Sequence, residues 1–206
     1  MKSFFRVAAV MGAATLASQA SANFIVNGSF ENPITGPAGT TFSFGQTIGA
    51  GWISNNDPVT VYRDGFVPPL LSLPCPTPSN GQQALCMYTS DTFTEIRQTV
   101  FLPTPGQYTL SFDLGAIVNR PAIINAFVGT PGNLGDIAFA DFSNSAGGTF
   151  VSRSMTFNVN AAGSYDVVFF SSSLQGTALD NVVLVPAPAA AAFLGLGGLL
   201  AARRRR

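Results

Sequence analysis

The last 22 residues of the chain restrict its fold and location more than any other stretch. Two prolines open this tail, residues 189–202 are apolar or small, and an arginine cluster ends the chain. As a helix, the apolar run would be about 21 Å long, which is short of the roughly 30 Å hydrocarbon core of a bilayer. Because arginine crosses a membrane at high cost, the tail predicts a membrane-associated end whose arginines stay in the cytoplasm.

This tail resembles the PEP-CTERM sorting signal of Gram-negative bacteria, in which a short proline motif, an apolar helix and an arginine cluster follow one another. The family usually has Glu between the prolines, where this chain has Ala187. The resemblance implies processing by an exosortase-type enzyme and delivery to the cell surface or extracellular matrix. A plain C-terminal anchor is the alternative. The motif residues are Val185, Pro186, Ala187, Pro188, Arg203, Arg204, Arg205 and Arg206.

The N-terminus predicts export. Lys2 and Arg6 precede an apolar stretch at 7–17, and Ala-Ser-Ala at 20–22 fits the cleavage pattern of a signal peptide. We therefore expect the Sec export machinery and signal peptidase as partners. We also expect transient anchoring in the inner membrane, with the ectodomain in the periplasm. The predicted units are a signal peptide at 1–22, an ectodomain at 23–184 and a sorting tail at 185–206, with its apolar helix at 189–202.

The charge of the ectodomain disfavours one class of partner. Between residues 23 and 185 the chain has four Arg, no Lys and no His, against ten Asp and Glu, so the ectodomain is net −6. Nucleic-acid binding is disfavoured, because few cations are present to neutralise phosphates. Cys75 and Cys86 are the two cysteines, and in an oxidising compartment such a pair usually forms a disulfide. A metal role is the alternative.

Alternating apolar and polar residues, separated by Gly, Pro and Asn turns, predict an all-β fold with no helix outside the two signals. We expect a β-sandwich, specifically a jelly roll, with residues 151–159 and 165–170 forming a hairpin. The candidate strands are 23–30, 41–44, 59–63, 83–89, 93–102, 108–114, 122–128, 136–142, 151–159, 165–170 and 179–184.

The ectodomain also resembles the galactose-binding-like jelly rolls, which include non-catalytic carbohydrate-binding modules. The segments that carry this resemblance are NGSFE at 27–31, GW at 51–52, NGQQAL at 80–85, IRQTV at 96–100, PGQYTLSF at 105–112 and LDNV at 179–182. The resemblance implies that the first and last strands lie side by side. It also implies a structural Ca²⁺ held by Glu31 and Asp180, since Ca²⁺ prefers oxygen ligands. Turn capping by these two carboxylates is the alternative.

Aromatic rings that stack on sugars are the candidate ligand platform, and Trp52, Tyr62 and Tyr88 are the candidates. Core packing is the alternative for Trp52, and we expect the phenylalanines to be core. Absence of His excludes Ser-His-Asp and Cys-His catalysis. Asp91 and Glu95 would lie about 13 Å apart on a strand, farther than the roughly 5–9.5 Å of glycoside hydrolases.

We therefore expect an exported, non-catalytic β-sandwich. Its predicted role is that of a structural or adhesive component of the cell envelope or exopolysaccharide matrix. A carbohydrate-binding module with a specific glycan site, and extracellular polysaccharide as its partner, is the alternative. A glycoside hydrolase is the remote alternative. A sheet face with exposed aromatic and polar side chains would favour the carbohydrate-binding alternative.

Overall fold

The computed structural model describes residues 23–69, 72–88, 93–172 and 176–187, in which the chain forms twelve β-strands and no α-helix. The predicted signal peptide and most of the predicted sorting tail lie outside the described residues. The strands are β1 (Thr40–Phe42), β2 (Thr47–Ile48), β3 (Trp52–Asn56), β4 (Val59–Arg63), β5 (Gln83–Met87), β6 (Phe93–Leu102), β7 (Gly106–Ala116), β8 (Ala122–Gly129), β9 (Ala138–Asn144), β10 (Phe150–Val159), β11 (Gly163–Ser172) and β12 (Thr177–Pro186).

These strands form two six-stranded antiparallel sheets. The first sheet has the order β1-β4-β5-β12-β7-β10, and the second has the order β2-β3-β6-β11-β8-β9. The all-β, two-sheet prediction is confirmed. Two strands, β4 and β6, have the predicted bounds, whereas β7 and β12 extend beyond the predicted strands at both ends.

Alternate side chains of both sheets fill the space between them. In β7, Tyr108, Leu110, Phe112 and Leu114 are buried, whereas the intervening Thr109 is not. Each such burial contributes roughly 1.5–3 kcal/mol relative to exposure. The same alternation in the second sheet decides which side chains are left on its outer face.

A second, smaller core lies on the outer face of the first sheet. Tyr62 and Cys86 contribute to it from β4 and β5, and Phe66 and Cys75 contribute from residues 64–79. We call residues 64–69 and 72–79 the covering segment. Because the segment buries this part of the first sheet, much of that outer face is closed to a ligand.

The predicted first strand, residues 23–30, is not a strand. The backbone φ angle is +54° at both Asn27 and Phe30, which lies outside the extended region. The segment nevertheless lies beside the last strand, because the N–H of Val182 donates to the carbonyl of Gly28 at 2.9 Å. The two ends of the domain therefore lie side by side, as the resemblance implies, although the N-terminal segment is not a strand.

The predicted hairpin between residues 151–159 and 165–170 is wrong. Strand β10 pairs with β7 in the first sheet, and β11 pairs with β6 and β8 in the second. Residues 160–162 therefore carry the chain from one sheet to the other.

The last strand continues past residue 184, the predicted end of the domain. Val185 and Pro186 still pair with β7, and the N–H of Ala187 donates to the carbonyl of Gln107 at 2.9 Å. The first part of the predicted sorting motif therefore belongs to the sheet. The described residues contain no helix of the length and apolarity that a membrane crossing requires.

Candidate functional site

Two of the three aromatic residues predicted to stack on a sugar belong to the core. Trp52 is fully buried, its indole N–H donates to the carbonyl of Asn27 at 3.2 Å, and its ring packs against Phe169. Tyr62 is fully buried beneath the covering segment. This corrects the platform prediction for both residues, because neither ring offers a face to a ligand. Tyr88 is half-buried beside the second core, and its ligand role stays a prediction.

Glu31 holds the loop at residues 79–83. One oxygen of its carboxylate accepts the backbone N–H groups of Gln82 at 2.6 Å and Gln83 at 2.8 Å. Gly81, the residue before Gln82, is in the left-handed region with φ +75°, and a Cβ there would come within 2.3 Å of the same carboxylate oxygen. Only glycine allows the loop to approach Glu31 this closely.

Asp180 holds the other end of the same loop. Its carboxylate is fully buried, and one oxygen accepts the N–H groups of Ser79 and Asn80, both at 2.8 Å. The other oxygen accepts the N–H of Asn181 at 2.7 Å. Burial raises the pKa of Asp180 to about 6, against the lowering effect of these hydrogen bonds.

A second carboxylate, Asp113, lies directly opposite Asp180 in the register of β7 and β12. The hydroxyl of Ser79 is 2.8 Å from Asp113 and 3.0 Å from Asp180. A hydroxyl has one proton, so Ser79 can donate to one of them at a time. Asp113 also accepts from the hydroxyl of Ser152 at 2.5 Å.

Protein donors therefore occupy Asp180 and one oxygen of Glu31. A carboxylate offers about four lone-pair sites, and Asp180 accepts from two N–H groups of the loop and from the N–H of Asn181. The hydroxyl of Ser79 donates either to Asp180 or to Asp113. This arrangement is the turn capping named as the alternative to a cation. No three His, Cys, Asp or Glu side chains of the described residues are grouped so as to hold a metal. The Ca²⁺ site stays a prediction.

The cysteines are neighbours in the second core. The thiol of Cys75 donates to the sulfur of Cys86 at 3.0 Å, and both residues are buried. Burial raises the pKa of Cys86 well above its usual value. Cys75 therefore fastens the covering segment against Cys86 of β5, and the predicted disulfide stays a prediction.

The outer face of the second sheet carries five phenylalanines that the sequence analysis assigned to the core. Alternate residues of these strands fill the core, so the residues between them face outward. We call this surface the aromatic face. Its residues are Ile53, Asn55, Phe93, Glu95, Arg97, Thr99, Phe101, Ile123, Asn125, Phe127, Phe139, Asp141, Ser143, Asp166, Val168 and Phe170.

The strand register arranges this face in rows that cross five strands, a width of about 19 Å at roughly 4.8 Å per strand. One row, which we call the polar row, consists, from β3 to β9, of Asn55, Glu95, Phe170, Asn125 and Asp141. The next, which we call the apolar row, consists of Ile53, Arg97, Val168, Phe127 and Phe139.

A cavity of about 480 Å³ opens where these two rows meet the loop after β8. Phe127 and Phe139 form one wall, with ring centroids 4.8 Å apart. Phe170 lines the cavity too, and Phe93 stacks on it with centroids 4.3 Å apart. Phe139 is 54% exposed. The cavity therefore presents aromatic rings to solvent, as ligand pockets commonly do.

Amide groups fix the carboxylates of the polar row. Glu95 accepts from the side-chain amide of Asn55 at 2.8 Å and from that of Asn56 at 3.4 Å. The amide of Asn125 donates to Asp141. Among the described residues, neither carboxylate has a cationic partner within 4.0 Å.

Arg97 is the cationic side chain among the described residues of this face, and it is already paired. Arg97 lies 3.9 Å from Asp166, which also accepts from the hydroxyl of Thr99 at 2.5 Å. Aromatic rings, oriented amides and carboxylates thus share one surface, and this arrangement can pack against the C–H faces of a sugar while it binds the hydroxyls.

A sequence signal for this face exists in β6. Residues 93–102 place Phe93, Glu95, Arg97, Thr99 and Phe101 on one side of a strand, and that set is too polar for a core. The alternation in β6 indicates that Phe93 and Phe101 lie on the polar side of the strand, so the prediction that all phenylalanines are core is wrong for them.

No family model matches the chain, and no curated protein matches it. Among solved structures, TmCBM61 in complex with β-1,4-galactotriose matches with a TM-score of 0.55 and 17% identity, over 81% of this chain and 100% of that chain. A xylan-binding domain from CBM 22 matches with a TM-score of 0.51 and 10% identity, over 81% of this chain and 96% of that chain.

The chain has the fold of a carbohydrate-binding module. Arabinose-bound MgGH51 α-L-arabinofuranosidase matches with a TM-score of 0.58 and 12% identity, over 81% of this chain but 26% of that chain. The implied likeness to carbohydrate-binding modules is confirmed for the fold. At these identities the ligand has to be argued from the aromatic face itself.

Proposed function

We propose that this chain binds a polysaccharide along the aromatic face. The observation that carries this proposal is the cavity lined by Phe127, Phe139 and Phe170 beside the oriented side chains of the polar row. Aromatic rings provide apolar contact area and polar neighbours provide orientation, which is the usual composition of a ligand site. The width of the rows, about 19 Å, suits a chain of several sugars.

The structural comparisons support the same class of ligand. One matched module was solved with β-1,4-galactotriose, and the other matched domain is described as xylan-binding. Both ligands are chains of sugars. By this likeness we propose an extended polysaccharide for the aromatic face, in place of a single sugar, and prefer the carbohydrate-binding alternative to a purely structural role.

We also propose that the chain has no catalytic activity. The carboxylate of Glu95 is held by two amides, and Asp91, its partner in the hydrolase hypothesis, lies outside the described residues. Incubation with candidate polysaccharides is expected to release no reducing ends. Release of oligosaccharides by the pure protein would favour the hydrolase.

Export and surface sorting complete the proposal. The N-terminal and C-terminal sequence signals support export through the inner membrane, processing by an exosortase-type enzyme and retention at the cell surface or in the extracellular matrix. A polysaccharide-binding domain in that location would act as an adhesive component of the exopolysaccharide layer.

Substitution of one exposed ring tests the site. We expect Phe139→Ala to weaken binding to the best ligand of a glycan array by about tenfold, because stacked ring contacts are worth roughly 1.4 kcal/mol. Phe44→Ala is the matched control, because Phe44 is 68% exposed and lies between β1 and β2, outside the aromatic face. Affinity electrophoresis would measure both.

Equal affinities for Phe139→Ala and wild type would contradict the site. Failure of the wild type to bind any glycan on the array would contradict the proposed function as a whole.

A further inference from the structure

We infer that the aromatic face selects a cationic polysaccharide, meaning a polymer of amino sugars that carries free ammonium groups. This inference rests on the proposed function and adds the charge class of the ligand. It follows from the charges beside the cavity, from the open oxygen of one carboxylate and from the position of the rings.

The described part of the aromatic face is acidic. Its charged side chains are Glu95, Arg97, Asp141 and Asp166. Because Arg97 is paired with Asp166 at 3.9 Å, two carboxylates are left without a cationic partner among the described residues. Asp136 adds a third negative charge in the exposed loop that follows β8. Hydrogen bonds from Thr130 lower the pKa of Asp136, so it is charged at neutral pH.

Asp141 is the carboxylate that a ligand can reach. It is exposed, and it lies on the same face of β9 as Phe139, two residues away. One of its oxygens accepts from the amide of Asn125, which itself lines the cavity. No described residue donates to the other oxygen. An oriented carboxylate with one free oxygen at the rim of an apolar cavity is a good acceptor for an ammonium group.

Glu95 strengthens the negative potential from the other side of Phe170. It is 5% exposed, so its charge is poorly screened by water. Two neutral amides orient it but supply no positive charge. Among the described residues no cation balances this buried carboxylate, and an unbalanced buried charge is costly. An ammonium group above the neighbouring ring of Phe170 would offset that cost while it interacts with the π face.

The same charges disfavour anionic chains. A polysaccharide of uronic acids would place carboxylates against Asp141 and Glu95, and the ectodomain as a whole is net −6. Like charges brought together at a binding surface cost affinity and reject the wrong partner. Neutral glycans can pack on the rings and donate hydroxyl hydrogen bonds to the carboxylates, but they gain no attraction between opposite charges.

Calorimetric titration of the purified protein tests the inference, with a glucosamine tetramer, the same tetramer fully N-acetylated, and oligogalacturonate as probes. Asp141→Asn is expected to weaken glucosamine binding about tenfold, the worth of one charge-assisted hydrogen bond. Binding of the N-acetylated tetramer should weaken less than that of glucosamine, because a neutral ligand has no attraction between opposite charges to lose. Oligogalacturonate should not bind.

Asp64→Asn is the matched control, because it removes one exposed carboxylate from the covering segment on the opposite sheet. It changes the net charge equally and should leave both affinities unchanged. Glu95→Gln, a second charge variant, should weaken binding of the glucosamine tetramer. Phe170→Ala removes a ring and should weaken binding of both the glucosamine tetramer and the N-acetylated tetramer. Melting curves establish that each variant is folded.

Equal affinity of the wild type for the charged and N-acetylated tetramers would overturn the inference but leave the proposed function standing. Equal losses in Asp141→Asn and Asp64→Asn would overturn it too, because attraction would then come from net charge alone. If neither tetramer nor any other glycan binds, the proposed function fails with it.

Discussion

Asp180 is a buried carboxylate whose described partners are N–H and hydroxyl groups. Burial raises its pKa from an ordinary 3.8 to about 6, so the folded protein holds a proton more tightly than the unfolded chain does. Where the folded state binds more protons, the free energy of unfolding falls as pH rises. The contribution of Asp180 to stability therefore decreases between the two pKa values and stays low above the higher one.

We expect Asp180→Asn to remove this pH dependence. In Ca²⁺-free buffer, the wild type should gain stability relative to the variant when pH is lowered from about 7 to about 5, because its carboxylate becomes protonated over that range. Urea denaturation at each pH measures the difference. Asp64→Asn, which alters an exposed carboxylate, should keep the wild-type profile. Parallel curves for wild type and Asp180→Asn would show that Asp180 titrates normally.

Single residues also show what the sequence predicts poorly. The aromatic character of Trp52 is compatible with a buried core position and with a ligand-binding surface. The structure shows that Trp52 is in the core. Phe127 and Phe139 are also aromatic residues in strands, but their side chains lie on the side of the strand that faces away from the core. Only the alternation within each strand, together with the knowledge of which side is covered, separates these two environments.

At the scale of elements, the N-terminal segment replaces a strand with a close backbone contact. A Cβ on Gly28 would lie 2.0 Å from the carbonyl oxygen of Val182 in β12. The side-chain amide of the buried Gln83 joins the same segment to β5, since it donates to the carbonyls of Phe30 and Pro33. The segment is therefore fixed by contacts that allow no additional side chain at Gly28.

We expect Gly28→Ala to lower the free energy of unfolding by about 1–3 kcal/mol, as overpacking against backbone usually does. Gly36→Ala is the matched control, because a Cβ there has nothing within 4 Å. Chemical denaturation of both variants measures the effect. A Gly28→Ala protein as stable as Gly36→Ala would show that the segment can move away from β12 at little cost.

The hydrogen bonds of the loop at residues 79–83 predict how the domain responds to Ca²⁺. Because N–H and hydroxyl donors already satisfy Asp180 and one oxygen of Glu31, we expect a chelator to leave the melting temperature unchanged. Differential scanning calorimetry with and without added Ca²⁺ measures this. A melting temperature that rises with Ca²⁺ would establish the cation that the family resemblance implies, and would require the loop to rearrange.

Strand positions were largely predictable, and strand partners were not. The alternation in residues 59–63, 93–102 and 108–114 is a local property, so it indicates strands wherever they pair. Pairing depends on which faces meet in the folded chain. The short link at 160–162 therefore looks like a hairpin turn but joins two sheets.

At the scale of the whole molecule, the two sheets have different outer faces. The first sheet contains the last strand, adjoins the N-terminal segment and carries the covering segment, whereas the second sheet exposes the aromatic face. The sequence predicted the sandwich but not which outer face is covered, because the covering segment packs on residues that are far from it along the chain.

Processing of the tail is expected to stop at the sheet. Residues up to Ala187 are hydrogen-bonded to β7, and a protease needs extended, unpaired backbone. We therefore expect the native protein to begin near Asn23, to lack Arg203 to Arg206 and to end beyond Ala187. Intact-mass spectrometry of protein from the cell surface measures both ends. Recovery of the complete arginine cluster would contradict processing.

The position of β12 has a mechanical consequence. It lies between β5 and β7 in the middle of the first sheet, and Phe24 at the other end of the domain donates to Leu184 within it. If a polysaccharide were bound to the aromatic face and the chain beyond Ala187 were anchored, the tension between them would run along this strand. Shearing β12 out of the sheet requires many ladder hydrogen bonds to break at once, so we expect the domain to resist a force applied at the C-terminal end of this strand.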